Sequence, residues 1–424
     1  MPDDAATEVR WPDRFVYLCT AGAGAQVNIA PMLHAGADRV VAVVIMVPVA
    51  DPANPTAEEK AQAIIPADRI FSYATRVLNL ATARVRRISG HPDLLSADWA
   101  RSSRVATDLA RELNAEVVFN VSSGRKQATL GALLEMMRRP EPKVTLLTVG
   151  SSEFVVRGIT LGADGKIAES VLPVEATQQL GPYLTSYGFR EIGCERRTRH
   201  QEWIEAQHNL VGAIRSLGYR TQQKVFGHFN RTVSTKRLNA PCEIPISTEI
   251  EGHMADIATM IDGCSVAHGQ LRVESEDGLK FLTGGWFEAE VYTAVREVLL
   301  PTGAILAANV ELTAAKRKRD GFDPAEVEFD VVVLGNDRLD LIEAKSTMDP
   351  KGLHGVIDKL AKYRTQLSGP AGVVWLVAPF HNQASLERLG LIEHAKHEGV
   401  RFFYGADAVA QMVAQLKERR SPRR

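Results

Sequence analysis

Paired cysteines are missing from this sequence. Cys19, Cys194, Cys242 and Cys264 are spread over 424 residues without a CxxC spacing. That fits a reducing cytoplasm and argues against a disulfide framework. Long apolar runs are also missing. The longest, VVAVVIMVPVA (Val40–Ala50), is too short to cross a bilayer, and nothing reads as a signal peptide. The expectation is a cytoplasmic protein with no membrane partner. Charge of one sign is not in excess either: the formal net charge is −1, so the overall balance names no partner. No internal repeat or low-complexity segment stands out. What is present is ordinary globular material, 45% hydrophobic and 24% charged, long enough for two or three domains.

One stretch breaks that ordinariness. FDVVVLGNDRLDLIEAK (Phe329–Lys345) sets Asp330, Asp340, Glu343 and Lys345 into two aliphatic runs around a Gly335-Asn336-Asp337-Arg338 turn signal. If Leu334 pairs with Leu339, Asp330 faces Glu343 and Glu328 faces Lys345. Side chains alternate along a strand, so these four polar groups share one face. Opposed Cβ atoms lie about 4.5–5.5 Å apart. Two carboxylates at that distance repel unless a proton or cation stands between them. Mg²⁺ or Mn²⁺ takes such oxygen ligands, and Lys345 would stand beside the ion. Other (Asp/Glu)-x-Lys tripeptides, such as Glu58–Lys60 and Asp349–Lys351, sit in polar or proline-bearing surroundings. A surface salt-bridge ladder would give the same residues, but ladders seldom occupy such continuous aliphatic runs.

Upstream, GGWFEAEVYTAVREVLL reads as a helix with Phe287, Val291, Val295, Val298 and Leu299 on one stripe. Glu288 falls on that stripe, and Glu290 on the other side with Glu297. Downstream, GLHGVIDKLAKYRTQL reads as a helix and AGVVWLVAP as a buried strand. The expected order is helix, strand, strand, helix, strand.

Helix Glu288, then Glu328-Phe-Asp330, then Glu343-Ala-Lys345 resembles the PD-(D/E)xK restriction-endonuclease-like nucleases. FLTGGWFEAEVY (Phe281–Tyr292) and EVEFDVVVL resemble one subgroup, the CARF-domain nucleases of type III CRISPR systems. The resemblance implies a metal-dependent phosphodiesterase on a mixed sheet, activated by cyclic tetra-adenylate, cutting single-stranded DNA and RNA or nicking DNA. It implies metal binding by Glu288, Asp330 and Glu343, catalysis by Lys345, and an acidic motif position for Glu328. Val327 stands where the family has a polar residue, and Pro370 follows Gly369 where it tends to have a second glycine.

The N-terminal half alternates strand and helix. Strands are expected at Arg14–Thr20, Arg39–Val47, Ala83–Ile88, Glu116–Val121 and Val144–Val149, with helices at Asp98–Leu113 and Thr129–Arg138. That pattern implies an open parallel sheet, which binds ligands beyond the carboxyl ends of its strands. Two loops leave strand ends there, TAGAGAQVN (Thr20–Asn28) and NVSSGRKQAT (Asn120–Thr129). The second offers Ser122, Ser123, Gly124, Arg125 and Lys126 at a helix start, where free N–H groups favour phosphate. An ordinary tight turn would also account for either loop. NVSSGRK resembles the CARF loop that holds a cyclic oligoadenylate, with Ser123 in place of its first glycine. By that resemblance Asn120, Ser122, Ser123, Gly124, Arg125 and Lys126 bind the activator, joined by Thr20, Gln26 and Asn28. A cyclic tetranucleotide is two-fold symmetric and one sheet edge is not, so a homodimer with one activator is expected.

The expected fold is α/β throughout: a Rossmann-like CARF sensor over 1–180, a basic connector over 181–275, a PD-(D/E)xK domain over 276–415, and a disordered basic tail over 416–424. Glu153–Thr160 and Lys166–Val174 read as a hairpin around LGADG. Ser186–Ala240 holds ten Lys/Arg against four Glu, a net of +6, with Arg196, Arg197 and Arg199 clustered. This is either a solvated face or a groove for a nucleic-acid strand, to which AKRKRD (Ala315–Asp320) adds charge. The alternative is a catalytically inactive nucleotide-sensing regulator that binds nucleic acid, against which the intact acid set argues; an NAD-linked oxidoreductase rests on AGAGA alone and fails to explain the C-terminal half.

Overall fold

A computed structural model describes residues 10–22, 25–92, 97–138, 142–149, 156–161, 167–172, 180–186, 189–192, 194–299, 304–314, 327–335, 338–346, 349–364, 367 and 373–420. The chain divides into two compact units, one built mainly from residues up to Arg190 and the other mainly from Glu191 onward.

The first unit is a seven-stranded sheet in the order β3-β2-β1-β4-β5-β6-β7. Its strands are β1 (Phe15–Thr20), β2 (Val40–Pro48), β3 (Val85–Gly90), β4 (Glu116–Asn120), β5 (Val144–Val149), β6 (Val156–Leu161) and β7 (Ile167–Val171). The first five run parallel, and β6 and β7 are antiparallel additions. Residues of β1 and β2 alternate between two hydrophobic cores. Phe15, Tyr17, Val43 and Ile45 enter one, and Val16, Leu18, Ala42 and Val44 the other. A strand buried on both faces must be apolar at every position, which is why these runs carry no polar break. Strand order reverses between β1 and β4, so the Thr20 and Asn120 loops emerge side by side there.

The second unit holds a six-stranded mixed sheet in the order β16-β15-β14-β13-β12-β8. Its members are β8 (Phe189–Ile192), β12 (Ile305–Ala314), β13 (Val327–Gly335), β14 (Arg338–Ala344), β15 (Val373–Ala378) and β16 (Val400–Tyr404). A small antiparallel sheet of β9 (Cys242–Pro245), β10 (Cys264–Ala267) and β11 (Gln270–Val273) accompanies it. The expected element order lacked β12, whose ILAANVELTA is too polar to read as a core strand. It pairs antiparallel to β13.

Residues 181–275, expected as a connector, supply Leu210, Ile214, Phe226, Phe229 and Met254 to the same hydrophobic cluster as Trp286, Ile342 and Trp375. Phe226 stacks on Trp286 with ring centroids 4.3 Å apart. The expectation of a disordered tail from 416 is corrected over its first part. A helix (Ala408–Arg420) runs through it, because Ala408, Met412 and Leu416 at helical spacing are fully buried. Residues 421–424, the AKRKRD run, Gly369, Pro370 and the side chains of Arg196, Arg197 and Arg199 lie outside the described residues. Among the described residues no helix is long and apolar enough to cross a membrane.

Candidate active site and activator loops

The β13–β14 register is the one the turn signal implies. Leu334 pairs with Leu339 and Val331 with Ile342, so the next step places Asp330 across from Glu343. Asp330 is 7% exposed and Glu343 3%. Asp330 Oδ2 accepts from the Ala344 N–H at 2.7 Å and from Lys345 Nζ at 3.3 Å. Lys345 Nζ also reaches Glu343 Oε1 at 2.9 Å. Glu328, on the same strand face, is exposed. Asp340 points to the other face, fully buried, where Arg419 Nε meets its Oδ1 at 3.3 Å. It belongs to the anchoring of the last helix rather than to this cluster.

Glu288 joins the cluster from the helix Trp286–Leu299, which follows a wider turn, Phe281–Gly285, kinked at Gly284. Such wide turns recur at functional sites. A Cβ on Gly284 would lie 3.8 Å from Ser346 Oγ and 3.9 Å from Glu288 Oε1, so the missing side chain leaves space between those groups.

The electrostatics are unbalanced. Burial, then the charge of Asp330, push the Glu288 carboxyl up to about 8, with Lys345 opposing. Burial and the charge of Glu343 push Asp330 up to about 6, against the pull of Lys345 and the Ala344 N–H. Burial alone would lower the Lys345 ammonium, but Asp330 and Glu343 outweigh it and hold the amine strongly protonated. Glu290 is not the exposed residue its helix face implied. Its side chain is 14% exposed and meets Arg215 Nε at 3.5 Å. The helix is covered on both sides, because residues of the expected connector pack against its second face.

These carboxylates suit a divalent cation in kind: hard oxygen donors whose mutual repulsion a metal would relieve. Asn309 of β12, with φ +46°, falls between the register pairs Ala308–Val331 and Val310–Phe329, and its buried side-chain oxygen has no hydrogen-bond partner. Yet among the described residues no three His, Cys, Asp or Glu side chains converge as they stand. Glu343 is turned to a lysine absent from the expected set, Lys359 on the helix Leu353–Tyr363, whose Nζ lies 2.9 Å from both carboxylate oxygens. Its one sequence signal was a lysine bordering that helix's apolar stripe.

The other predicted cluster has a different character. Asn120 Nδ2 donates to Tyr17 OH (2.8 Å), Val27 O (2.7 Å) and Asn28 Oδ1 (3.0 Å). Ser123 Oγ, with its single hydrogen, lies 2.7 Å from Thr20 O and 2.8 Å from Asn28 Oδ1, and Asn28 Nδ2 donates to Thr20 O (3.0 Å). Thr20 and Thr129 hydroxyls meet at 3.2 Å. Ser122 Oγ accepts from the Val149 N–H at 2.6 Å. Gly124 adopts φ +78°, and a Cβ there would collide with Thr20, so only glycine fits. Thr20, Asn28, Asn120 and Ser123 are buried and pair with one another, whereas Arg125 and Lys126 are exposed at the start of the helix Lys126–Met137. The Gln26 side chain lies outside the described residues.

Residues 275–421 match the family model of the Card1-like endonuclease domain. No curated protein sequence matches the chain. Two solved structures share the fold over nearly the whole length. Protein VC1899 from Vibrio cholerae is 16% identical with a TM-score of 0.64, covering 95% of this chain and 97% of its own. Can2 from Sulfobacillus thermosulfidooxidans, solved in complex with cyclic tetra-adenylate, is 18% identical with a TM-score of 0.63, covering 96% and 99%. The chain thus shares the fold of Can2 over nearly its whole length, and its C-terminal part is similar to the Card1-like endonuclease domain.

Proposed function

We propose that this protein is a CRISPR ancillary nuclease that cyclic tetra-adenylate switches on and that hydrolyses phosphodiesters of DNA or single-stranded RNA with Mg²⁺ or Mn²⁺. The observation that carries the reading is the meeting of Asp330, Glu343 and Lys345 in apolar surroundings, with Glu288 near enough for their charges to act on it. Glu288, Asp330 and Glu343 would hold the metal. A bound divalent cation would supply Lewis-acid activation of water and offset charge on the scissile phosphate. Lys345, kept protonated by two carboxylates, orients the attacking water and stabilises the developing phosphate charge. The Ala344 N–H fixes the Asp330 carboxylate against the strand.

In the first unit, Lys126 and Arg125 would meet the activator's phosphates together with the free N–H groups of the helix behind them. The buried Thr20–Asn28–Asn120–Ser123 network would hold the loops in shape. Leu130, Leu134 and Met137, 50%, 53% and 64% exposed at helical spacing on the same helix, form an apolar stripe. A second copy meeting this stripe would give the two-fold axis a cyclic tetranucleotide needs. The test crosses single- and double-stranded DNA and RNA with and without cyclic tetra-adenylate, in Mg²⁺, Mn²⁺ and EDTA. Cleavage that requires both activator and metal is expected. Activator binding with no cleavage of any substrate would leave the inactive regulator as the answer.

A further inference from the structure

Lys359 is bonded to more than Glu343. Its Nζ donates to the Glu328 main-chain oxygen at 2.7 Å and sits 5.2 Å from the centroid of the Phe329 ring. Its side chain is 29% exposed and that of Glu343 4%. A buried carboxylate with no cation beside it is costly. Glu343 has two ammonium groups within 2.9 Å, Lys345 and Lys359. Lys345 also serves Asp330, whereas Lys359 engages Glu343 through both oxygens. Those two oxygens are the ones a metal would need.

We infer that Lys359 is a positioning residue that stands in for the metal at Glu343 and gives the carboxylate up when the site is loaded; this rests on the metal-binding reading above. The Glu328 carbonyl and the Phe329 ring face keep the ammonium partnered after release, so letting go of Glu343 does not strand it. The lysine therefore preserves the carboxylate's place in the metal-free protein and weakens metal binding by competition.

The experiment is a calorimetric Mn²⁺ titration of wild type, Lys359→Met, Lys359→Arg and Asp330→Asn, with thermal unfolding of each in EDTA and in saturating Mn²⁺. Met keeps most of the lysine's volume and drops its charge. Lys359→Met is expected to bind Mn²⁺ roughly tenfold more tightly, since a competing unit charge is gone. It should unfold at lower temperature than wild type in EDTA and at the same temperature in Mn²⁺. Lys359→Arg should restore the EDTA value. If wild type binds Mn²⁺ and Lys359→Met binds it no more tightly, the stand-in role is overturned while the metal site stands. If wild type shows no Mn²⁺ binding that Asp330→Asn abolishes, the metal reading falls and this inference with it.

Discussion

The polar groups beneath the strand ends of the first unit are neutral, buried and mutually satisfied. Those of the second unit are charged, set among aliphatic strands, and out of balance. Asn120, Asn28, Ser123 and Thr20 exchange hydrogen bonds of 2.7–3.0 Å. Glu288, Asp330 and Glu343 share two lysines, and the deficit is registered as raised carboxyl pKa values at Glu288 and Asp330. A satisfied network confers shape, and an unsatisfied one confers affinity for whatever completes it.

The sharpest way to break this contrast is to neutralise one acid of the second cluster. Asp330→Asn or Glu343→Gln should lower cleavage by on the order of 10³-fold, since several kcal/mol of charge stabilisation depends on each ligand. Activator affinity should not change, as the loops lie in the other unit. Cleavage rates with Mg²⁺ and Mn²⁺ beside activator titrations check both statements. Full activity in either variant would end the assignment.

The first cluster should respond in the opposite sense, losing stability before function. Asn120→Ala removes a donor with three acceptors and an acceptor for the Ser122 N–H (3.0 Å). It should cost about 1–3 kcal/mol, the range for buried polar groups left unpaired. Denaturant unfolding followed in that unit measures it. Lys126→Ala, on an exposed side chain, should change stability by less than about 0.5 kcal/mol. Yet it should weaken cyclic tetra-adenylate binding roughly tenfold, the scale of a charge-assisted contact. If the two variants trade places, the division between scaffold and contact residues is wrong.

Much of this was legible in the sequence for physical reasons. A two-fold side-chain period and a turn signal fix a hairpin register, so Asp330 and Glu343 could be brought together from residue order alone. The uninterrupted aliphatic run of β2 marked a strand covered on both faces. What stayed hidden depended on packing between segments distant in sequence. Lys359 is sixteen residues from its partner. Glu290 read as exposed because its own helix could not reveal that residues near Arg215 cover its second face. Residue type also did not show that Thr20, Asn28, Asn120 and Ser123 hydrogen-bond to one another.

A milder probe is pH. Glu288 has its folded pKa raised to about 8 in the metal-free protein, against about 4.3 in an unfolded chain. Between these values the folded state holds a proton that the unfolded state has released. Metal-free stability of the second unit should therefore fall as pH rises from about 4.3 to 8. Asp330, raised to about 6, acts in the same direction over the lower part of that window. Saturating Mn²⁺ should flatten the slope, and Glu288→Gln should remove its upper part. The neutral cluster of the first unit contributes no slope there. Thermal midpoints in EDTA from pH 5 to 8 test it, and a midpoint that rises across pH 6–8 would contradict the sign.

The smallest effect separates two glutamates of one helix. Glu290 is half-buried like Glu288, yet its surroundings are complete, since Arg215 reaches both its carboxylate (3.5 Å) and its main-chain oxygen (3.3 Å). Burial raises its pKa and Arg215 opposes the rise. Glu290→Gln loses an ion pair but also loses the desolvation of a charge, two terms of opposite sign. Arg215 is not stranded, because Glu297 Oε1 lies 3.7 Å from its Nη1. The net change in stability should stay within about 1 kcal/mol, with cleavage unaffected. Glu288→Gln, two residues earlier, should abolish cleavage and tighten the metal-free fold. Equal losses of activity in both variants would mean that the helix as a whole, rather than Glu288 at its kinked start, serves the site.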